Sequence, residues 1–176
     1  MKKIVFFSHG LSANGIETFL VNVLRKIDKT KYDITVIIAI DEGVYCLHEK
    51  TVADMGIRVI HAGDFDAPKK KFDYIKNVKK ILACCDCFLM PSLFEGLPFS
   101  LIEAQAAGLR CIVSDVVTKE ADVGLIDYFS LENGAKKWAE FINRELDEPR
   151  KSADENKLRQ FDISHTVRQL EEIYDR

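Results

Sequence analysis

The sequence predicts a doubly wound α/β fold of Rossmann-like type: a parallel six-stranded sheet, order 3-2-1-4-5-6, with helices on both faces. Three observations predict it. Short apolar runs recur along the 176 residues without polar alternation, as strands buried on both sides do. Between them lie segments of about 10 to 15 residues with apolar positions at helical spacing. Glycine or proline stands at many of the changes from one type to the other.

The elements follow in order. Lys3–Ser8 (KIVFFS) is the first strand, ended by Gly10. Ile16, Phe19, Leu20, Val23, Leu24 and Ile27 share one helical face, with Asn14 as N-cap and Glu17 suited to the positive end of the helix dipole. Asp33–Ala39 is the β-branched second strand. Val44, Leu47, Val52 and Met55 mark a looser helix closed by Gly56, and Ile57–Ala62 is the third strand. After the loop-like GDFDAPKKK, a third helix carries Phe72, Ile75, Val78 and Leu82. Asp86–Ser92 is the fourth strand, ended by Pro91. A helix from about Pro98 to Ala107 stops at Gly108 in the left-handed conformation. Leu109–Asp115 and Leu125–Leu131 are strands five and six. Ala135, Trp138, Ala139, Ile142 and Leu146 line another helix, broken at Pro149. Ile163, Val167, Leu170 and Tyr174 form one face of a closing helix.

Length fits a single domain over residues 1–176. Net charge of -3 argues against a nucleic-acid partner, which needs a basic face; the basic PKKKF at Pro68–Phe72 reads as a solvated loop. No apolar run reaches membrane-spanning length, and MKKIVFFSHG reads as a strand rather than a signal peptide, so a cytoplasmic location is expected. Cys46, Cys84, Cys85, Cys87 and Cys111 lack the paired spacing of a zinc site and read as free thiols.

The strand order puts a crevice between the carboxyl ends of strands one and four. Two loops meet there: SHGLSANG (Ser8–Gly15) and PSLFEGLP (Pro91–Pro98). The first feeds a helix N-terminus, and Gly10, Asn14 and Gly15 make it a candidate phosphate loop; a tight strand-to-helix turn is the alternative. It is neither G-x-G-x-x-G nor a Walker sequence. In the second, Glu95 and Glu103 are expected to belong to the crevice and to accept hydrogen bonds from a polyol. The plainer alternatives are an exposed loop acid for Glu95 and a capping box of Ser100 with Glu103.

DCFLMPSLFEGLPFSLIEAQAAGLRCIVSD resembles the donor-binding signature of family-4 glycosyltransferases of the GT-B fold. Pro91-Ser92, Glu95-Gly96-Leu97-Pro98, Glu103-Ala104, Gly108 and Ser114 carry the match. The resemblance implies retaining, metal-independent and cofactor-free transfer from a nucleotide sugar, a UDP-sugar foremost, in cell-surface polysaccharide synthesis. By it, Glu95 is the catalytic candidate and contacts the donor hexose, while Glu103 accepts from the ribose. Gly96, Leu97, Pro98, Phe99 and Ser100 are the further donor-binding candidates, with the backbone of Leu97 to Ser100 near the sugar and diphosphate. A sugar or lipid-linked acceptor, peripheral membrane association and a homodimer are the other partners implied.

The front, FFSHGLSANGIETFLVNVLRKIDKTKYDITVII, is similar to the start of that family's acceptor-side domain, and FDISHTVRQLEEIYDR to its closing helix. The chain thus reads as an internally shortened form. Residues 1–82 resemble the front of the acceptor-side domain and residues 86–176 the back of the donor-side domain, with a seam near Leu82–Cys85. The stretch between, with the family's histidine and its Arg/Lys diphosphate clamp, is absent, which implies an impaired transferase. His9, His48 and His61 are candidate replacements for the histidine, with only His9 in the crevice; Lys119 is the spare cation. Three functions stay open: a transferase, a non-catalytic nucleotide or sugar-phosphate binding module, and a chimeric domain that keeps only the fold.

Overall fold

The computed structural model describes residues 1–8, 10–11, 15–38, 47–61, 79–149 and 151–174. His9, Asn14, Val44, Cys46, the basic Pro68–Phe72 loop and the third-helix positions Phe72, Ile75 and Val78 lie outside the described residues.

The elements are β1 (Lys2–Ser8), α1 (Gly15–Lys26), β2 (Tyr32–Ile38), α2 (Glu49–Asp54), β3 (Arg58–His61), β4 (Cys87–Met90), α3 (Phe99–Ala106), β5 (Arg110–Ser114), β6 (Ile126–Phe129), α4 (Gly134–Asp147), α5 (Glu155–Arg159) and α6 (Ile163–Tyr174). Residues 79–83 are also helical. The six strands form one parallel sheet in the order β3-β2-β1-β4-β5-β6. That is the order the alternating sequence predicts.

Side chains alternate across this sheet with a period of two. Ile4, Phe6, Val36, Ile38, Leu89 and Ile112 face one layer with Leu20, Val21, Leu24, Trp138 and Ile142. Val5, Ile37, Phe88, Met90 and Val113 face the other, with Leu82, Leu101, Ile102 and Ala104. Both faces are dry, which is why the strands read as unbroken apolar runs. α1 and α4 cover the first face, α3 and residues 79–83 the second.

Helix ends follow local chemistry. Gly108 takes φ 78° after α3, a left-handed conformation that glycine reaches without strain. Asp154 caps α5 by accepting from the backbone N–H groups of Asn156 (2.9 Å) and Lys157 (3.3 Å). α5 is a helix the sequence pattern does not predict.

Three local expectations are corrected. α3 begins at Phe99 after Pro98, so Ser100 stands inside the helix and makes no capping box with Glu103. Leu47 is exposed ahead of α2 rather than on its buried face. The predicted apolar face of α6 forms, but Ile163, Val167, Leu170 and Tyr174 are all exposed. Among the described residues, no helix is long and apolar enough to cross a membrane.

Candidate functional site

β1 and β4 lie side by side, with Ile4 opposite Cys87 and Phe6 opposite Leu89. The carboxyl ends of β1 and β4, at Ser8 and Met90, therefore lie at the same edge of the sheet. A notch of about 340 Å³ opens there. Phe7 and Ser8 form its floor, Ile16, Glu17 and Leu20 of α1 one wall, and Pro91 to Glu95 the other. Expecting a crevice where the strand order reverses is a general rule of such sheets.

The β4 wall is tied down by a short relay. The Ser114 hydroxyl, at the end of β5, donates to the Ser92 carbonyl. The Ser92 hydroxyl in turn donates to Glu95 Oε1 at 2.7 Å. Glu95 is thus held half-buried on the notch, with its second oxygen left for other donors. On the floor, the Ser8 hydroxyl donates to the Gly10 carbonyl at 2.7 Å.

Glu103 is placed differently from the expectation. It lies on the exposed side of α3 and does not line the notch. The crevice collects Glu95 alone of the two, because α3 turns Leu101, Ile102, Ala104 and Gln105 into the core and so turns Glu103 outward. Gly96, Leu97 and Phe99 are exposed, Ser100 half-buried and Pro98 buried, all beside the notch rather than in it. No side chain caps α3; its Leu101 and Ile102 N–H groups both reach the Pro98 carbonyl, at 3.1 and 3.3 Å. Gly10 is buried and Gly15 opens α1 exposed, with open space where a Cβ would stand.

The other candidates lie elsewhere. Lys119 does not line the notch: its Nζ stands 2.9 Å above the Tyr128 ring centroid. Burial first, and Asp122 second, push the Tyr128 phenol up to about 12. His48 Nε2 lies 3.4 Å from Thr18 Oγ1, and His61 Nε2 lies 2.8 Å from Glu49 Oε1. Arg110 opens β5 at the opposite edge, paired with Asp127 at 3.4 Å and donating to the Pro149 carbonyl at 3.0 Å.

The family model described as Glycosyl transferases group 1 matches residues 2–148. The chain belongs to that family. EpsF of Bacillus subtilis (strain 168), whose name assigns it provisionally to the glycosyltransferases, is 45% identical over 71 residues, 39% of this chain and 18% of its own. CapH of Staphylococcus aureus, a capsular polysaccharide biosynthesis glycosyltransferase, is 30% identical over 161 residues, 88% of this chain and 42% of its own. Among solved structures, the sucrose-phosphate synthase of Thermosynechococcus elongatus superposes with a TM-score of 0.64 at 17% identity, over 99% of this chain and 45% of its own. That likeness shows the shared fold. This group 1 chain spans less than half the length of these relatives.

One residue of this glycosyl transferase group 1 chain escapes the sequence reading. Glu17 stands in the first turn of α1, as its dipole reading expects, but it is 6% exposed and lines the notch. Its Oε2 is buried and has no hydrogen-bond partner among the described residues. The signal was in the spacing: Glu17, Leu20, Val21 and Leu24 fall at i, i+3, i+4 and i+7, the apolar face of α1. Glu17 and Glu95 give the notch carboxylates on both walls, and no described Lys or Arg lines it. Such a site accepts hydrogen bonds; it has little to offer an anion.

Proposed function

We propose that this chain binds a nucleotide sugar, a UDP-sugar foremost, along the carboxyl edge from the notch to the start of α3, for glycosyl transfer to a sugar or lipid-linked acceptor in polysaccharide synthesis. The observation that carries this reading is the Ser114–Ser92–Glu95 relay, which fixes one carboxylate at the strand-order reversal of a group 1 glycosyl transferase chain. Glu95 would accept from hydroxyls of the donor hexose. Glu103, outside the notch, would accept from the ribose. The uncapped first turn of α3 supports a place for the diphosphate beside the Leu97-to-Ser100 backbone, since free N–H groups and the dipole favour an anion there. CapH's role in capsular polysaccharide synthesis supports the class of product. We further propose that residues 1–82 derive from an acceptor-side domain and residues 86–176 from a donor-side domain, completing one sheet across the β1–β4 pairing.

A second reading, binding without transfer, is favoured by one observation. No described Lys or Arg lines the notch to meet the charge developing on a leaving diphosphate.

Calorimetric titration of the wild type with UDP, GDP and UDP-sugars tests the shared part. Binding is expected, weakened about ten-fold by Glu103→Ala, the scale of a hydrogen bond to a charged group. A wild type that binds none of these ligands sinks both readings and leaves the fold as the retained property. Product formation with a sugar or lipid-linked acceptor separates transfer from binding.

A further inference from the structure

Glu17 has no place in the donor-binding scheme above. It is contributed by the front of the chain, from α1, and not by the loop after β4. Burying a carboxyl oxygen without a partner carries a desolvation cost that an apolar residue at the same position would avoid. Leu20, Val21 and Leu24 continue the same face of α1, so a leucine at position 17 would simply extend the apolar face. The structure instead keeps a carboxyl group that lines a notch of about 340 Å³, with its Oε2 buried and without a partner among the described residues. Across that notch stands Glu95, with one oxygen already taken by Ser92.

Carboxyl groups from two elements lining one notch select their ligand. A carboxyl oxygen accepts from a hydroxyl, so an occupant that brings donors matches both groups. A phosphate brings acceptor oxygens to two carboxyl groups, and no described cation on the lining offsets its charge. A sugar ring brings hydroxyl donors and no charge. Phe7 and Leu20 supply the apolar contact that a ring's C–H face needs.

We infer that Glu17 is a sugar-binding carboxylate, which together with Glu95 makes the notch a site for the neutral, hydroxyl-bearing ring of the ligand and places the phosphates outside it. This reading deepens the proposed function and rests on it for the identity of the ring. It also moves the phosphate away from the turn after β1 and toward the start of α3.

The test uses the whole chain, with Glu17→Gln and Glu17→Leu beside Glu103→Ala. Calorimetry with UDP-glucose, UDP-galactose, UDP-N-acetylglucosamine and UDP alone is paired with saturation-transfer NMR on the three free monosaccharides. Glu17→Gln is expected to weaken UDP-sugar binding about ten-fold and to leave UDP alone unchanged. Glu17→Leu is expected to raise the melting temperature of the ligand-free protein while abolishing the monosaccharide signal. UDP-sugar binding that is lost in Glu103→Ala yet equal in wild type and Glu17→Gln overturns this inference and leaves the proposed function standing. Glu17-dependent monosaccharide binding without any affinity for UDP supports the inference and sinks the nucleotide. No binding of sugar or nucleotide by the wild type overturns both. A fall in melting temperature for both Glu17 variants, with sugar binding intact, shows a structural residue and overturns the inference as well.

Discussion

Helix α4 closes one face of the sheet with an aromatic cluster, whereas α3 closes the other with a buried amide. On the first face Trp138 is fully buried and meets Phe19 of α1 edge-on at 5.8 Å and Phe129 of β6 at 5.7 Å. Its indole N–H donates to the Ser130 carbonyl at 2.9 Å. On the second face the fully buried Gln105 donates to the Leu101 and Ala121 carbonyls, at 3.3 and 2.7 Å, and accepts from the Val123 N–H at 3.0 Å. The aromatic face is held by area, spread over many contacts. The amide face is held by three directional bonds to backbone, of which those to Ala121 and Val123 leave an orphan if broken. The notch draws a wall from each: α1 is steadied by the aromatic cluster, and the Glu95 loop runs into the helix that Gln105 anchors.

The largest expected effect falls on the aromatic face. Trp138→Ala should cost about 3–5 kcal/mol in urea unfolding, because no neighbouring side chain can fill the space of an indole. A loss below about 1 kcal/mol would show that α1 and α4 do not depend on that cluster. Next comes the amide face. Gln105→Leu keeps the volume but strands the Ala121 carbonyl and the Val123 N–H, and should cost about 1–3 kcal/mol by the same measurement. A neutral result would mean that apolar packing alone holds α3, and the contrast between the faces would collapse.

The smallest effect sharpens the comparison, since among the described residues each face holds one buried thiol. Cys87 belongs to the aromatic face and Cys111 to the amide face. Burial pushes both thiols well above their ordinary value of 9.0. The unfolded chain therefore ionises first as pH rises. Their contribution to stability is complete below about pH 9 and declines above it. The urea midpoint should fall between pH 8 and pH 10, and a midpoint that rises would contradict the sign. Alkylation read by peptide mass mapping should spare both thiols in the native chain. In Trp138→Ala it should reach Cys87 before Cys111, and in Gln105→Leu the reverse.

What the sequence could show follows from the same physics. All six strands and their order were legible, because strands dry on both faces leave unbroken apolar runs and parallel crossovers restrict the order. α5 was not, since five residues capped by Asp154 carry no periodicity. The face of α6 was legible as a face, but spacing says what could be buried and not what covers it, and Ile163 to Tyr174 stay exposed. The crevice and Glu95 were legible from topology alone. Glu103 was misplaced in the crevice because the turn of α3 depends on which side enters the core. Glu17 was overlooked because a charge at a helix start has a ready electrostatic explanation that hides its position on the apolar face.

The pairing of β1 with β4 sets a timetable for synthesis. β1 meets β2 soon after both are made, but its other edge waits for residues 87–90, and the α1 surface that bears Phe19 waits for residues 134–147. Until then a nascent chain carries an open strand edge and an uncovered helix, the features that recruit chaperones and invite mispairing. The earliest-made wall of the notch is therefore among the last to become firm.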